Sequence, residues 1–281
     1  MSVRTYNPSV RVGNWNEDIQ LEEDLLKDFL EKREKGQLQI QRSSNLTSMT
    51  SQIALSVSRD GYLHFGDAVL LRCPGAVCRE RTSAEELPRD DCVLAINMPA
   101  SQLYEGTKVE GPCGVSGAKQ TQPSARSVFV ITSIDGSPSG HPLRFGQPFH
   151  LKMLSGDGTL LHSDKASFQK CAKRSRHQEV TLVSQPSFLT QWQILYFDPR
   201  LRMEFEGTPV PANERVVINH VKTNQNLAVE EKQCVRTPFG REYEISAHTF
   251  KDSHKAEMDV NHWIIATGAP GDEINPPTEA Q

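Results

Sequence analysis

Three stretches of the chain share one pattern: Gly66-Asp-Ala-Val-Leu-Leu71, Gly146-Gln-Pro-Phe-His-Leu151 and Asn213-Glu-Arg-Val-Val-Ile218. Each begins with a residue that favours a turn and continues with alternating apolar positions. A period of two over a short segment bounded by turn residues is typical of a β-strand. The three stretches therefore predict the opening strands of three copies of one structural unit.

Two further features recur after each opening stretch. A short leucine-containing segment follows, and an aromatic residue with aliphatic neighbours closes each copy. Three copies of a four-strand unit predict a mainly β protein, a closed antiparallel barrel with three-fold pseudosymmetry, which is a β-trefoil. The recurring segments are Val93–Ile96, Thr159–His162 and Asn226–Val229, and the closing aromatic residues are Phe129, Trp192 and Trp263.

The spacing of the copies predicts large insertions. Their openings lie 80 and 67 residues apart, whereas four short strands with short turns need only about 40 residues. The first insertion is expected to include Gly106–Arg126, a stretch rich in glycine, proline and serine that has little to bury.

The sequence divides into three parts. Residues 1–60 are expected to hold an extended arm, one amphipathic helix over residues 17–35 and a linker; residues 61–268 form the β-trefoil; residues 269–281 form a proline-rich tail. The helix has Asn16 as a capping residue, and Gly36 suits its carboxyl end. Its leucine and phenylalanine residues form one stripe, which predicts that the helix docks on the trefoil or on a neighbouring protein.

Composition excludes several classes of protein. The chain has 281 residues, 23% of them charged, and a formal net charge of −4. A uniformly basic nucleic-acid binder and a wholly disordered chain do not fit these values. No stretch approaches the roughly 18 apolar residues of a membrane helix, and the start lacks the apolar segment of a signal peptide. The six cysteines form no C-x-x-C pair, which favours reduced thiols.

We find no pattern of residues that predicts catalysis, a cofactor or a metal. G-x-S-x-G, a phosphate-binding loop and H-E-x-x-H are all missing from the sequence. A carbohydrate-binding trefoil is the natural rival, because ricin-type lectins carry Gln-x-Trp near the end of each repeat. The corresponding triplets here are Ser127-x-Phe129, Thr190-x-Trp192 and Asn261-x-Trp263, so the aromatic residues are expected to fill the core instead.

Two segments are candidates for partner contact. Residues 161–202 carry seven lysines and arginines against three acidic residues; this stretch is either a solvated loop or a contact for an acidic protein surface. The amino-terminal arm carries no acidic residue from position 3 to 13 and is expected to lie along a partner. The candidate contact residues are Lys170, Lys173, Arg174 and Arg176 in the first segment, and Arg4, Tyr6, Arg11 and Trp15 at the amino terminus.

Several longer phrases carry a resemblance that covers nearly the whole chain. They are Val12–Asp18, Lys27–Arg33, Pro209–Asn213, Ala247–Thr249 and Asn261–Trp263. With these phrases the sequence resembles the cilia- and flagella-associated protein 161 family. The resemblance implies a trefoil of the MIR type, with no catalytic activity and no cofactor.

The same resemblance implies a location and partners. It implies a microtubule inner protein in the lumen of the A-tubule of axonemal doublet microtubules, within the cytoskeleton of motile cilia and flagella. Its partners would be α/β-tubulin and neighbouring inner proteins, not nucleic acid or membrane. The alternative is a cytosolic trefoil module that binds a glycan or another ligand.

Overall fold

The computed structural model describes residues 15–35, 37–75, 91–99, 111–155 and 158–268, with the side chains of residues 15–18 and 42 outside the description. These segments contain the helices α1 (Trp15–Glu34), α2 (Gln39–Thr50) and α3 (Arg202–Phe205) and twelve β-strands. The strands are β1 (Ala68–Cys73), β2 (Cys92–Asn97), β3 (Cys113–Ala118), β4 (Val128–Ser133), β5 (Phe149–Met153), β6 (Leu160–Ser163), β7 (Gln178–Val183), β8 (Trp192–Tyr196), β9 (Arg215–His220), β10 (Gln225–Thr237), β11 (Gly240–Ala247) and β12 (His262–Ala266).

The first and fourth strands of each copy close a six-stranded barrel. β1 pairs with β4, β4 with β5, β5 with β8, β8 with β9, β9 with β12, and β12 again with β1, all antiparallel. The second and third strands form three hairpins, β2–β3, β6–β7 and β10–β11. β3, β7 and β11 also pair with one another in a triangle, so the hairpins cap one end of the barrel. This pairing is that of a β-trefoil and confirms the predicted fold.

A ring of three hydrogen bonds closes the opposite end of the barrel. The backbone N–H of Leu63 donates to the carbonyl of Val210, that of Val210 to Leu143, and that of Leu143 to Leu63, at 2.8–2.9 Å. All three side chains are fully buried. One residue from each copy therefore meets its counterparts on the pseudo-three-fold axis.

The turn residues that open each copy have the backbone conformation that the sequence suggested. Gly66, Gly146 and Asn213 have φ values of +95°, +76° and +63°, the left-handed region that glycine and asparagine adopt most readily. Each backbone N–H donates to the carbonyl of an isoleucine in the closing strand of the same copy, at 2.7, 2.9 and 3.0 Å. These turns tie the first strand of a copy to its last.

The closing aromatic residues fill the core, as predicted. Phe129, Trp192 and Trp263 are fully buried. The indole N–H groups of Trp192 and Trp263 donate to the carbonyls of Leu161 and Leu227, both at 2.9 Å. The two tryptophans thereby join the barrel to the cap hairpins of their own copies.

The structure corrects the interpretation of Gly106–Arg126 as a loop with little to bury. Within it, Cys113–Ala118 is strand β3, and its apolar side chains Cys113, Val115 and Ala118 are buried. Small residues are required there, because a Cβ at Gly117 would lie 3.1 Å from the Cβ of Tyr243. Composition alone resembled a loop, since the large side chains that complete this part of the core come from neighbouring strands.

The amino-terminal region contains the predicted helix and a second one. α1 begins at Trp15, so Asn16 lies within the helix and the prediction that it is the cap is wrong. Gly36 lies outside the described residues. The expected linker contains α2, which packs Leu46 and Met49 against the core. The backbone N–H of Arg126 donates to the carbonyl of Met49 at 3.1 Å. The apolar face of α2 was not predicted, because it is short and most of the helix consists of polar residues, many of them serines and threonines. The division of the chain at residues 60 and 268 stays a prediction.

Candidate functional site: a groove at the hairpin cap

A groove of 740 Å³ lies where the three cap hairpins meet. Its apolar wall includes Met98, Val115, Val180 and Ile245, none more than 7% exposed. The first hairpin supplies Met98 and Val115, the second supplies Val180 and the third supplies Ile245. Since every copy contributes, the groove depends on the assembled trefoil and not on a single segment.

The rim of the groove is basic. Lys173 and Arg174 come from the loop between β6 and β7, and Arg236 comes from the far part of β10. All three are exposed. The carboxylate of Glu179 also lines the groove, where burial raises its pKa; the charge of Glu244 acts in the same direction, and Lys173 opposes it. The exposed rim is thus positive, whereas the acidic groups lie deeper.

Glu244 fixes the position of the basic loop. Its carboxylate, which is nearly buried, accepts the backbone N–H of Arg174 on Oε1 at 2.9 Å and that of Ser175 on Oε2 at 2.7 Å. Hydrogen bonds of this kind are stronger than those between neutral groups. Within the loop, the N–H of Ala172 also donates to the carbonyl of His177 at 2.9 Å. The cations therefore project from an ordered backbone.

The structure brings together only some of the predicted contact residues. Lys170, Lys173, Arg174 and Arg176 are all exposed on the loop between β6 and β7, but only Lys173 and Arg174 line the groove. The guanidinium of Arg176 donates to the sulfur of Cys171 at 3.5 Å. Arg4, Tyr6 and Arg11 lie outside the described residues, and Trp15 begins α1 with its side chain outside the description.

Two exposed residues of the groove and its basic loop were not predicted from the sequence. Arg236 reaches the groove only because β10 continues past the barrel, and no local sequence pattern predicts this extension. Phe168 is 97% exposed in the same loop as the basic residues. An aromatic residue between Lys165 and Lys170 was the available signal.

A second polar cluster lies near the end of this loop, and its geometry does not suit catalysis. His177 Nδ1 lies 2.6 Å from Glu230 Oε1, and the Ser246 hydroxyl donates to the same oxygen at 2.6 Å. The carboxylate stands between serine and histidine, so the histidine does not activate the serine. His248 stacks on His177 at 3.9 Å between ring centroids, and burial lowers the pKa of His248.

Metal-binding clusters and membrane-spanning helices are both absent from the described ranges. No group of three histidine, cysteine, aspartate or glutamate side chains there is placed to hold a metal ion. None of the helices in those ranges combines the length and apolar character needed to span a bilayer. The cap groove, with its apolar wall and basic rim, remains the most developed site in the part of the chain described.

Two named proteins are similar to this chain over nearly its whole length. A Danio rerio protein named cilia- and flagella-associated protein 161 is 46% identical over 280 residues, covering 96% of this chain and 91% of that protein. The Bos taurus protein of the same name is 42% identical, covering 98% and 86%.

Solved structures of low sequence identity share the fold alone. The SDF2-like protein from Arabidopsis thaliana aligns with a TM-score of 0.50 at 15% identity, covering 73% of this chain and 94% of that one. A Caenorhabditis elegans protein of unknown function gives a TM-score of 0.51 at 15% identity, covering 75% and 99%.

Residues 42–268 match the cilia- and flagella-associated protein 161-like domain, and the chain belongs to this family.

Proposed function

We propose that this chain is a structural microtubule inner protein of ciliary and flagellar axonemes. In this proposal it binds α/β-tubulin and neighbouring inner proteins in the A-tubule lumen of doublet microtubules and supports ciliary motility. It acts without catalysis and without a cofactor. Membership of a family named for cilia and flagella supports the location.

The observation that carries the proposal is the ordered basic rim of the cap groove. The chain as a whole is slightly acidic, with a formal net charge of −4, and tubulin is acidic as well. Two acidic proteins that bind each other need positive charge concentrated at the contact, where complementary potentials guide docking and fix its register. Lys173, Arg174 and Arg236 supply such a concentration.

The order of the loop makes this charge effective. Because Glu244 holds the backbone at two positions, little conformational entropy is lost when the loop binds. The exposed ring of Phe168 lies in the same loop and gives it an apolar contact. Along a microtubule lattice such modest contacts repeat, so that avidity replaces the strength of any single one.

The test is retention of the protein in axonemes after detergent extraction. The variant Lys173→Glu/Arg174→Glu reverses two rim charges, and Arg59→Glu/Lys222→Glu makes the same charge change at exposed positions that do not line the groove. We expect the first variant to be retained roughly tenfold less at moderate salt and the second to behave like the natural chain.

The outcomes separate the proposal from its alternative. Both variants should keep the melting temperature of the natural chain, because all four side chains are exposed. Equal retention of the two variants would contradict a contact at the groove. Release of the natural chain with the soluble matrix, together with specific hits on a glycan array, would favour a glycan-binding module.

A further inference from the structure

Helix α1 exposes its entire apolar stripe. All of its side chains from residue 19 to residue 34 are exposed. Among them Leu25 is 60%, Leu26 59% and Phe29 46% exposed. In proteins most of the stability of a helix comes from the packing of its apolar face, and α1 has no such packing over these residues. The stripe therefore has the properties of a docking surface whose occupant is another molecule.

The stripe is wide. At 100° per residue, its six apolar side chains project over about half of the helix circumference and along roughly 17 Å of its axis. The seam of a two-stranded coiled coil is narrower, with two apolar positions in seven. A groove that covers the helix on both sides fits this width better. The six residues are Ile19, Leu21, Leu25, Leu26, Phe29 and Leu30.

The charge of α1 determines the chemistry of its partner. The helix has eight acidic residues and three basic ones. Within the helix, Lys27 lies 3.9 Å from Glu23 and Lys32 lies 2.6 Å from Asp28, which leaves an acidic excess. Glu22 falls inside the apolar stripe, three residues after Ile19. An occupant of the stripe must therefore place a cation against Glu22.

A second copy of this chain suits the stripe poorly. Its cap groove has a basic rim, but Glu179 and Glu244 line the same groove, and their carboxylates repel an acidic helix. Pairing two α1 helices through their stripes would place together two helices that each carry eight acidic and only three basic residues, which is unfavourable. An anionic membrane surface is disfavoured by the same charge. We propose that α1 docks in an apolar groove rimmed by lysine or arginine on a different protein. This contact is separate from the cap groove and does not depend on the proposed binding of tubulin.

The experiment is photo-crosslinking in motile cilia with the full chain. Benzoylphenylalanine replaces Phe29 in the stripe or, as a matched control, Gln20 on the polar face of the same helix. Mass spectrometry then identifies the cross-linked peptide. We expect Phe29 to yield one segment of another protein, apolar with flanking lysines or arginines, and Gln20 to yield no such product.

A charge test accompanies the cross-link. Glu22→Lys and Asp24→Lys change the charge of α1 equally, but only Glu22 lies in the stripe. We expect Glu22→Lys to lower the yield of the Phe29 cross-link about tenfold and Asp24→Lys to leave it within about twofold. Both variants should melt like the natural chain, since α1 buries none of its described side chains from residue 19 onward.

Several results would overturn the inference. A cross-link from Phe29 to the barrel of its own chain, to a second copy or to lipid would identify a different occupant. An acidic cross-linked peptide, or equal effects of the two charge variants, would contradict the proposed chemistry. A failure of Phe29 to cross-link to any molecule would show that the stripe has no occupant.

Discussion

Replacing Glu244 by glutamine should loosen the basic loop while leaving the trefoil folded. The carboxylate accepts the N–H of Arg174 at 2.9 Å and that of Ser175 at 2.7 Å on separate oxygens. Glutamine offers one carbonyl oxygen, so its amide group faces the second N–H with a donor. One N–H in a partly buried position therefore has no acceptor, and the other N–H donates to a neutral oxygen in place of a charged one.

The size of the effect follows from these two losses. A buried donor without an acceptor costs about 1–3 kcal/mol, and a hydrogen bond to a neutral group contributes about 1 kcal/mol less than one to a charged group. Because the loop relaxes, we expect a decrease of about 2–4 kcal/mol in the free energy of opening the loop. At about 1.4 kcal/mol per factor of ten, the two amides should exchange roughly 30- to 800-fold faster.

Native-state hydrogen exchange of the Arg174 and Ser175 amides measures this directly. Glu179→Gln is the matched control, because Glu179 lines the same groove and belongs to neither of the hydrogen bonds that Glu244 makes to the loop. If both variants exchange these amides at the rate of the natural chain, Glu244 does not order the loop. Faster exchange throughout the barrel would instead mean that Glu244→Gln destabilises the whole fold.

Three further predictions concern the folded chain. The Arg126–Glu242 pair is buried, with Ser116 donating to Glu242 at 2.6 Å and the Arg126 guanidinium 4.0 Å from the centre of the Phe239 ring. Arg126→Met or Glu242→Gln alone should lower the free energy of unfolding by about 3–5 kcal/mol in urea titrations. The double variant should lower it by less than the sum of the two single effects. Gly66→Ala should lower the melting temperature more than Gly146→Ala does. Both positions require a positive φ, but only at Gly66 would a Cβ come within 3.2 Å of Ser139. Equal decreases in melting temperature would contradict this packing. Burial lowers the pKa of His220, so the folded state binds fewer protons than the unfolded state. The free energy of unfolding should therefore fall as the pH drops below about 6.5. His220→Gln should flatten this dependence between pH 7 and 5, and an unchanged slope would refute this role of His220.

The sequence contained most of the information for the barrel, because repetition compensated for weak local signals. One alternating stretch does not specify a trefoil, but three at matching places, each opened by Gly66, Gly146 or Asn213, require three equivalent turns. The same argument predicted the buried role of Trp192 and Trp263. Their N–H bonds to the hairpins were not foreseeable, since the partners are carbonyls distant in the chain.

Elements whose burial depends on neighbours escaped prediction. β3 has small residues because Tyr243 of another copy occupies the adjacent space, so its own composition resembles a loop. α2 shows only a short apolar face, which its serines and threonines conceal. For the cap groove, the basic loop was visible in the sequence. The position of Arg236 in the groove could not be predicted from the sequence, because the three hairpins meet only in the closed barrel.

We propose that this trefoil binds tubulin through its cap groove inside the doublet microtubule. Cryo-electron microscopy of doublet microtubules from motile cilia that contain this chain tests it most directly. We expect density for the trefoil in the lumen of the A-tubule, with Lys173, Arg174 and Arg236 facing an acidic surface of tubulin. Trefoil density outside the A-tubule, or a cap groove that faces away from the tubulin wall, would contradict it.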